Sequence, residues 1–163
     1  MTGKPSTKVQ PIPKGYEGAT PYLIIKDAAK ALDFYKKAFG ATEIMRIPAP
    51  GGKIGHAEVK IENAIIMLAD ESPEMNHRSP QSLGGTPVSI MIYVEDCDAV
   101  FKQAIAAGGT ELKPLRDQFY GDRSGALTDP FGHIWGIATH KEDVTPEEIN
   151  KRIATMAAGG HSA

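Results

Sequence analysis

Two stretches of this chain decide how the rest is read: "PYLIIKDAAKALDFYKKAFGATE" over residues 21–43 and "VSIMIYVEDCDAVFKQAIAAGGTE" over 88–111. Each opens on a short apolar strand, passes an acid, runs through a helical pattern and leaves through a Gly-x-Thr-Glu sequence, Gly40 to Glu43 and Gly108 to Glu111. They lie about 68 to 69 residues apart, which reads as one supersecondary unit used twice.

Working outward, each helix carries its own punctuation. Asp27 is placed to offer a side-chain oxygen to orphan backbone N–H groups. Ala28, Ala31, Leu32, Tyr35 and Phe39 then recur at helical spacing on one face, and Gly40 follows as a residue free to take positive φ. In the second copy Glu95, Asp96 and Asp98 favour the helix start through the dipole. Val100, Phe101, Ala104 and Ile105 form the stripe to be buried, and Gly108-Gly109 ends it.

Strands are expected after each helix: 42–47, 54–61 and 63–70 in the first copy, and 110–113, 122–128 and 133–139 in the second. "PAPGG" separates two of them, and Glu62-Asn63 suits a tight hairpin turn. "DPFG" at 129–132 has type I turn chemistry: Asp129 first, Pro130 with its pre-set φ second, Gly132 last. Residues 71–86, "ESPEMNHRSPQSLGGT", read as a polar linker, and "KPLRDQF" at 113–119 as a lid-like loop. Thr145-Pro146-Glu147-Glu148 has capping-box spacing with Pro at the first helical position, so a short helix is expected over 146–157.

The fold class is therefore α+β, with βαβββ occurring twice. The expected organisation is a flexible arm over 1–14, one domain over 15–140, and a C-terminal helix and tail over 141–163. The domain divides into modules at 15–70 and 87–140, joined by the linker.

Bulk properties exclude several functions. At 163 residues and a formal charge of −2, with acids and bases interleaved, the chain can bury a real core and offers no basic stripe for nucleic acid. No apolar run approaches the roughly 20 residues that cross a bilayer. The polar, proline-containing N-terminus does not read as a secretory signal. A single cysteine, Cys97, rules out an intrachain disulfide and an all-cysteine metal site. A cytoplasmic protein is the expectation.

The paired modules, with "GHAEVKIENAIIMLADE" and "YGDRSGALTDPFGHIWGIATH", resemble the vicinal oxygen chelate superfamily: glyoxalases, extradiol dioxygenases, fosfomycin-resistance enzymes and bleomycin-resistance proteins. The likeness spans roughly residues 12–157 and is greatest to the PhnB-like group. It implies two modules curving a mixed sheet around a cleft, with subunits often paired. In enzymatic members it also implies a divalent metal held by His, Gln or Glu on the first and last strands of the modules. Carried over, those positions fall at Thr20, Met67, Ser89 and Gly136. None is a competent ligand, and shifting by one residue does not rescue the set. The expectation is no metal centre, with a displaced divalent site at His56, Glu58 and His133 as the remote alternative.

Other residues could still do chemistry. Alternation in "GHAEVKI" puts His56, Glu58 and Lys60 on one strand face, where a His and a carboxylate could share proton transfer. Tyr22, Ile24, Met67, Met91 and Tyr93 should line an apolar, partly aromatic cleft suited to a small organic molecule. Tyr120 could close over a ligand. Arg123 could grip an anion, or could pair with Asp122 to brace a loop. Trp135 belongs in the core, and His133 reads as a strand-end histidine. His77 and His140 have no spacing to recommend them.

The expected function is binding of a small organic ligand in an apolar cleft, without the metal and as a homodimer. The alternative is a glyoxalase-type lyase or isomerase using His56 and Glu58.

Overall fold

The structure, a computed structural model, describes residues 9–159. The first module consists of β1 (Tyr22–Ile25), α1 (Ala28–Phe39), β2 (Thr42–Pro48), β3 (Ile54–Ile61) and β4 (Ala64–Asp70). The short helix α2 (Pro80–Leu83) separates it from the second, which consists of β5 (Ser89–Tyr93), α3 (Cys97–Ala106), β6 (Thr110–Asp117), β7 (Asp122–Thr128) and β8 (Ile134–His140). Helix α4 (Pro146–Gly159) follows. The strands form two four-stranded mixed sheets in the same order, β1-β4-β3-β2 and β5-β8-β7-β6. In each, the first strand runs parallel to the last and the others are antiparallel.

The expected caps form. Asp27 accepts from Lys30 N at 3.2 Å and Asp96 from Ala99 N at 3.0 Å, so both helices start on an aspartate. Gly40 closes α1 in the left-handed region at φ 64°. Helix α1 buries the expected residues together with Phe34 and Ala38. In α3 Phe101 and Ala104 are buried, whereas Val100 and Ile105 pack only partly.

Helices α1 and α3 pack against each other and each against one face of its own sheet. That face carries Leu23, Ile25, Ala57, Val59, Ile61, Ile66 and Leu68 in the first module, all buried. Trp135 of β8, fully buried, joins the halves: its ring lies 5.3 Å from that of Tyr35 and 4.6 Å from that of Phe39. The core is one continuous cluster. Strand alternation then leaves Tyr22, Met67, Met91 and Tyr93 on the opposite, helix-free faces.

Asp129 of the "DPFG" turn organises this junction. Its Oδ1 accepts from the backbone N–H of Phe131 and His133, both at 2.9 Å, and its Oδ2 from Tyr35 Oη at 2.8 Å and Trp135 Nε1 at 3.0 Å. Gly132 N–H returns to the Asp129 carbonyl at 3.1 Å, closing the turn.

Three segments depart from the sequence expectation. Residues 71–86 are folded rather than a plain linker. Glu71 Oε2 accepts from Ser79 N, Ser79 Oγ and Ser82 Oγ, at 3.1, 2.8 and 2.7 Å, and α2 docks on the second module through Gln81 Nε2 to Pro130 O at 3.0 Å. The lid-like loop is strand: β6 continues to Asp117, with Arg116 opposite Ser124 and Asp117 opposite Arg123. The ladder absorbs Pro114, which has no N–H to donate, at a register irregularity on this edge strand. Helix α4, expected over 146–157, extends to Gly159. It is tied to its own chain by Arg152, which donates to Phe119 O at 3.1 Å and to Glu142 at 2.8 Å.

Candidate functional site

The helix-free face of the first sheet carries a connected polar group amid apolar residues. His56 and Glu58, two apart on β3, meet through Nε2 and Oε1 at 3.0 Å. Tyr22 on β1 reaches the other ring nitrogen: its hydroxyl lies 2.9 Å from His56 Nδ1. Behind them the hydroxyl of Tyr16, from the segment preceding β1, donates to Glu58 Oε2. Glu58 is only 6% exposed, so a charged carboxylate here depends on these partners. Hydrogen bonds from Tyr16 and His56 hold its carboxyl below the usual range, outweighing the opposing effect of burial. Burial, reinforced by the Glu58 charge, pushes the Tyr22 phenol up.

The equivalent face of the second sheet carries a second cluster. Tyr93 Oη donates to Asp122 Oδ2 at 2.7 Å, and His140 Nδ1 meets Asp122 Oδ1 at the same distance. His140 Nε2 lies 3.0 Å from Asp143. The sequence reading passed over His140. Alternation along β7 and β8 puts Asp122 and His140 on one face, but only the register pairing them makes them neighbours.

Two concavities lie along these faces, the first bordered by Tyr22 and neither by Tyr93, Asp122 or His140. One, of about 490 Å³, lies between the edge strands β1 and β5 and is lined by Tyr22, Thr86, Ser89, Met91, His133 and Ile134 among others. The other, of about 430 Å³, lies on the second sheet beside Met91, Leu112, Tyr120, Ser124 and Gly136. Tyr22, Met91 and Tyr93 are 47%, 55% and 57% exposed, so these faces are apolar and open.

The remaining expected residues fall as follows. Met67 pairs with Tyr22, and Gly136 with Met91, at matching places in the two modules. Tyr120 borders the second concavity, its hydroxyl 3.4 Å from Ser124 Oγ. Arg123 points to the helix side of β7. There it forms a two-pronged pair with Asp98, both contacts at 2.7 Å, and reaches Asp117 at 3.2 Å. It is therefore apart from the apolar faces, and the expected pairing with Asp122 does not form, because neighbouring strand residues point to opposite sides. His133 donates its backbone N–H to Asp129, while its buried Nδ1 has no hydrogen-bond partner. Burial pushes the His133 imidazole down, against the pull of Asp129. Cys97 is buried at the start of α3.

For a divalent metal, the donor chemistry of the implied positions is wrong. Threonine, methionine, serine and glycine supply no carboxylate or imidazole. Among the described residues no three His, Cys, Asp or Glu side chains converge as a metal-holding group, so His56, Glu58 and His133 are not assembled as one.

Paired βαβββ modules, packed through their helices with the opposite sheet faces left open, define the fold class. Residues 19–137 match the Glyoxalase/Bleomycin resistance protein/Dioxygenase superfamily, and the chain belongs to it. The protein Mb0911c of Mycobacterium bovis is 43% identical over 143 residues, covering 86% of this chain and 94% of that one. Among solved structures, the fosfomycin resistance protein FosX of Listeria monocytogenes has 25% identity and a TM-score of 0.58, with 84% of this chain and 98% of that chain covered. The PhnB protein of Bacillus cereus shares the fold at 21% identity and a TM-score of 0.59, covering 76% of this chain and 99% of that one. No helix among the described residues is long and apolar enough to cross a membrane.

Proposed function

We propose that this protein binds a small, largely apolar organic molecule in the cleft beside Tyr22 and Met91, and does so without a divalent metal. The observation that carries this reading is the half-exposed row Tyr22, Met91 and Tyr93 on sheet faces whose reverse sides already bury a full core. Side chains of this kind gain from covering, and methionines adapt to irregular shapes. FosX was solved with Mn(II) and a dihydroxypropylphosphonic acid. Here the glycine, serine, threonine and methionine at the implied ligand positions favour metal-free binding, with sequestration of a toxic compound as the functional analogy. The same reading makes the protein a cytoplasmic homodimer whose second copy helps to cover these faces.

Elemental analysis of the purified protein tests the metal-free part, followed by melting curves with Zn²⁺, Ni²⁺, Mn²⁺ and Fe²⁺. A metal near one per subunit that raises the melting temperature overturns it. A thermal-shift screen of aromatic and amphipathic compounds tests the binding part, which fails if none shifts the transition.

A second reading, a lyase or isomerase, is favoured by the contact between His56 and the buried Glu58. Its test is turnover in His56→Ala and Glu58→Ala variants that keep the fold. Unchanged turnover in both sinks it.

A further inference from the structure

The ring of His133 is a polar group that the fold itself does not use. The structural work falls to its backbone N–H, which donates to Asp129 Oδ1 at 2.9 Å in the turn before β8. The residue is only 8% exposed, and its Nδ1 is sealed from solvent with no hydrogen-bond partner. Burying an unpaired ring nitrogen costs stability, a cost that an apolar ring of similar size would avoid. The same side chain lines the 490 Å³ cleft between β1 and β5.

Its surroundings decide what the ring offers there. Burial pushes the imidazole down, so at neutral pH it is uncharged and carries one proton. Nδ1 lies 3.8 Å from Asp129 Oδ2, too far for a hydrogen bond but close enough to feel the carboxylate. Both Asp129 oxygens already accept two hydrogen bonds each, so the carboxylate has no lone pair to turn towards the ring. A lone pair on Nδ1 would face that charge, whereas an N–H there is attracted by it. The proton therefore sits on Nδ1, and Nε2 keeps its lone pair. Nε2 is not sealed and meets no partner among the described residues, so it is the nitrogen left to serve the cleft.

The other polar side chains along the cleft do not compete for this role. The Tyr22 hydroxyl turns away to His56 Nδ1, 2.9 Å from it. Thr86 Oγ1 is occupied within its own turn, donating to Val88 O at 3.3 Å and accepting from Val88 N at 3.2 Å. Ser89 is exposed to water. No Lys, Arg, Asp or Glu lines the cleft, so a charged ligand would find no counter-charge there. The Tyr22 ring and the Met91 thioether suit a flat apolar body.

We infer that His133 Nε2 is the hydrogen-bond acceptor of this cleft and selects neutral, flat ligands that carry an N–H or O–H donor. The inference rests on the cleft reading above and adds the polarity of what fills it. A ligand of the same shape without the donor displaces water from Nε2 and leaves that nitrogen unpaired, which is the physical source of the selection.

The test uses the full-length protein and two probes of nearly one shape: indole, which has an N–H, and benzofuran, which has none. The δ1 methyl of Ile90, which lines this cleft and not the concavity on the second sheet, reports occupancy by NMR. Indole is expected to bind at least about fivefold more tightly than benzofuran and to shift the His133 Nε2 resonance more. Long-range nitrogen–proton correlation on the free protein is expected to show the His133 proton on Nδ1. A proton on Nε2 overturns the acceptor assignment. His133→Phe is expected to bind both compounds alike, and a preference for indole that survives in it overturns the inference. If that variant does not fold, the two affinities and the Nε2 resonance of the wild type decide. Equal affinities in the wild type, with Ile90 perturbed, overturn the role of His133 and leave the cleft reading standing. An Ile90 signal that neither compound moves overturns the inference and the cleft assignment together.

Discussion

The thioether of Met91 lies in the space that a side chain on Gly136 would enter. A Cβ built at Gly136 would stand 2.6 Å from Met91 Cε and 2.8 Å from its Sδ. The two are register partners on the parallel pair β5 and β8, at the closing-strand position where the superfamily resemblance implies a metal-binding carboxylate. With glycine there, the methionine lies across the sheet and makes this point of the open face soft and apolar.

Gly136→Ala should therefore be cheap in stability, under about 1 kcal/mol, because the clash is with the far end of a flexible side chain that can swing away. Gly121→Ala is the contrasting case. Its φ is +101°, and a Cβ there would lie 2.1 Å from the backbone oxygen of Glu142. A loss of roughly 2–4 kcal/mol is expected. Denaturant unfolding of the two variants side by side checks the contrast, which fails if they lose equally.

Asp129→Ala should be among the most damaging single changes. It would strand four donors, the Tyr35 hydroxyl, the Trp135 indole and the N–H groups of Phe131 and His133, at the contact between the modules. A cost of about 3–5 kcal/mol, read as a fall in melting temperature of roughly 10 °C, is expected. Asp129→Asn, which keeps one acceptor oxygen, should cost less.

The Asp122–His140 contact makes stability depend on pH at two limbs. Bonds to Asp122 and then Asp143 push the His140 imidazole above its ordinary 6.5. Its stabilisation is full below that unfolded value and is lost as pH rises through the higher folded one. For Asp122, burial pushes the carboxyl up, but the bonds from Tyr93 and His140 outweigh it and hold it below its ordinary 3.8. That contribution is present above 3.8 and is lost as pH falls through the lower folded value. Urea midpoints should decline from pH 6.5 upward in the wild type, and that decline should vanish in His140→Asn.

Arg123→Ala should lower stability only slightly, since the two-pronged pair with Asp98 that it removes is exposed to solvent and screened. Ligand affinity should not change, because the guanidinium lies on the helix side of β7. Isothermal titration and unfolding on the same variant separate the effects. Weaker binding with unchanged stability would return Arg123 to the ligand site.

Much of this molecule was legible in the order of its residues, because the deciding interactions are local. Capping by Asp27 and Asp96, the exit at Gly40 and the "DPFG" turn each depend on residues within a few positions. Alternation put Trp135 on the core face, and Tyr22, His56, Glu58, Met67 and Met91 on the other. Where expectation failed, a contact beyond the reach of strand or helix periodicity, some six to eleven residues along the chain, had intervened. "KPLRDQF" reads as a lid-like loop, yet pairing with β7 recruits it to Asp117. Residues 71–86 looked like a linker because they are polar, yet Glu71 gathers Ser79 and Ser82 around itself.

The sequence by itself determined the two-module architecture, the turns and caps, and which side chains share a strand face, since backbone sterics and side-chain periodicity act over a few residues. Only the tertiary structure decided which of those side chains touch. Tyr16 reaches Glu58 across 42 positions, Tyr93 reaches Asp122 across 29, and Arg123 turns to Asp98 rather than to Asp122. Such contacts depend on strand register and helix docking, which are settled by burial of the whole core at once and leave no trace in local spacing.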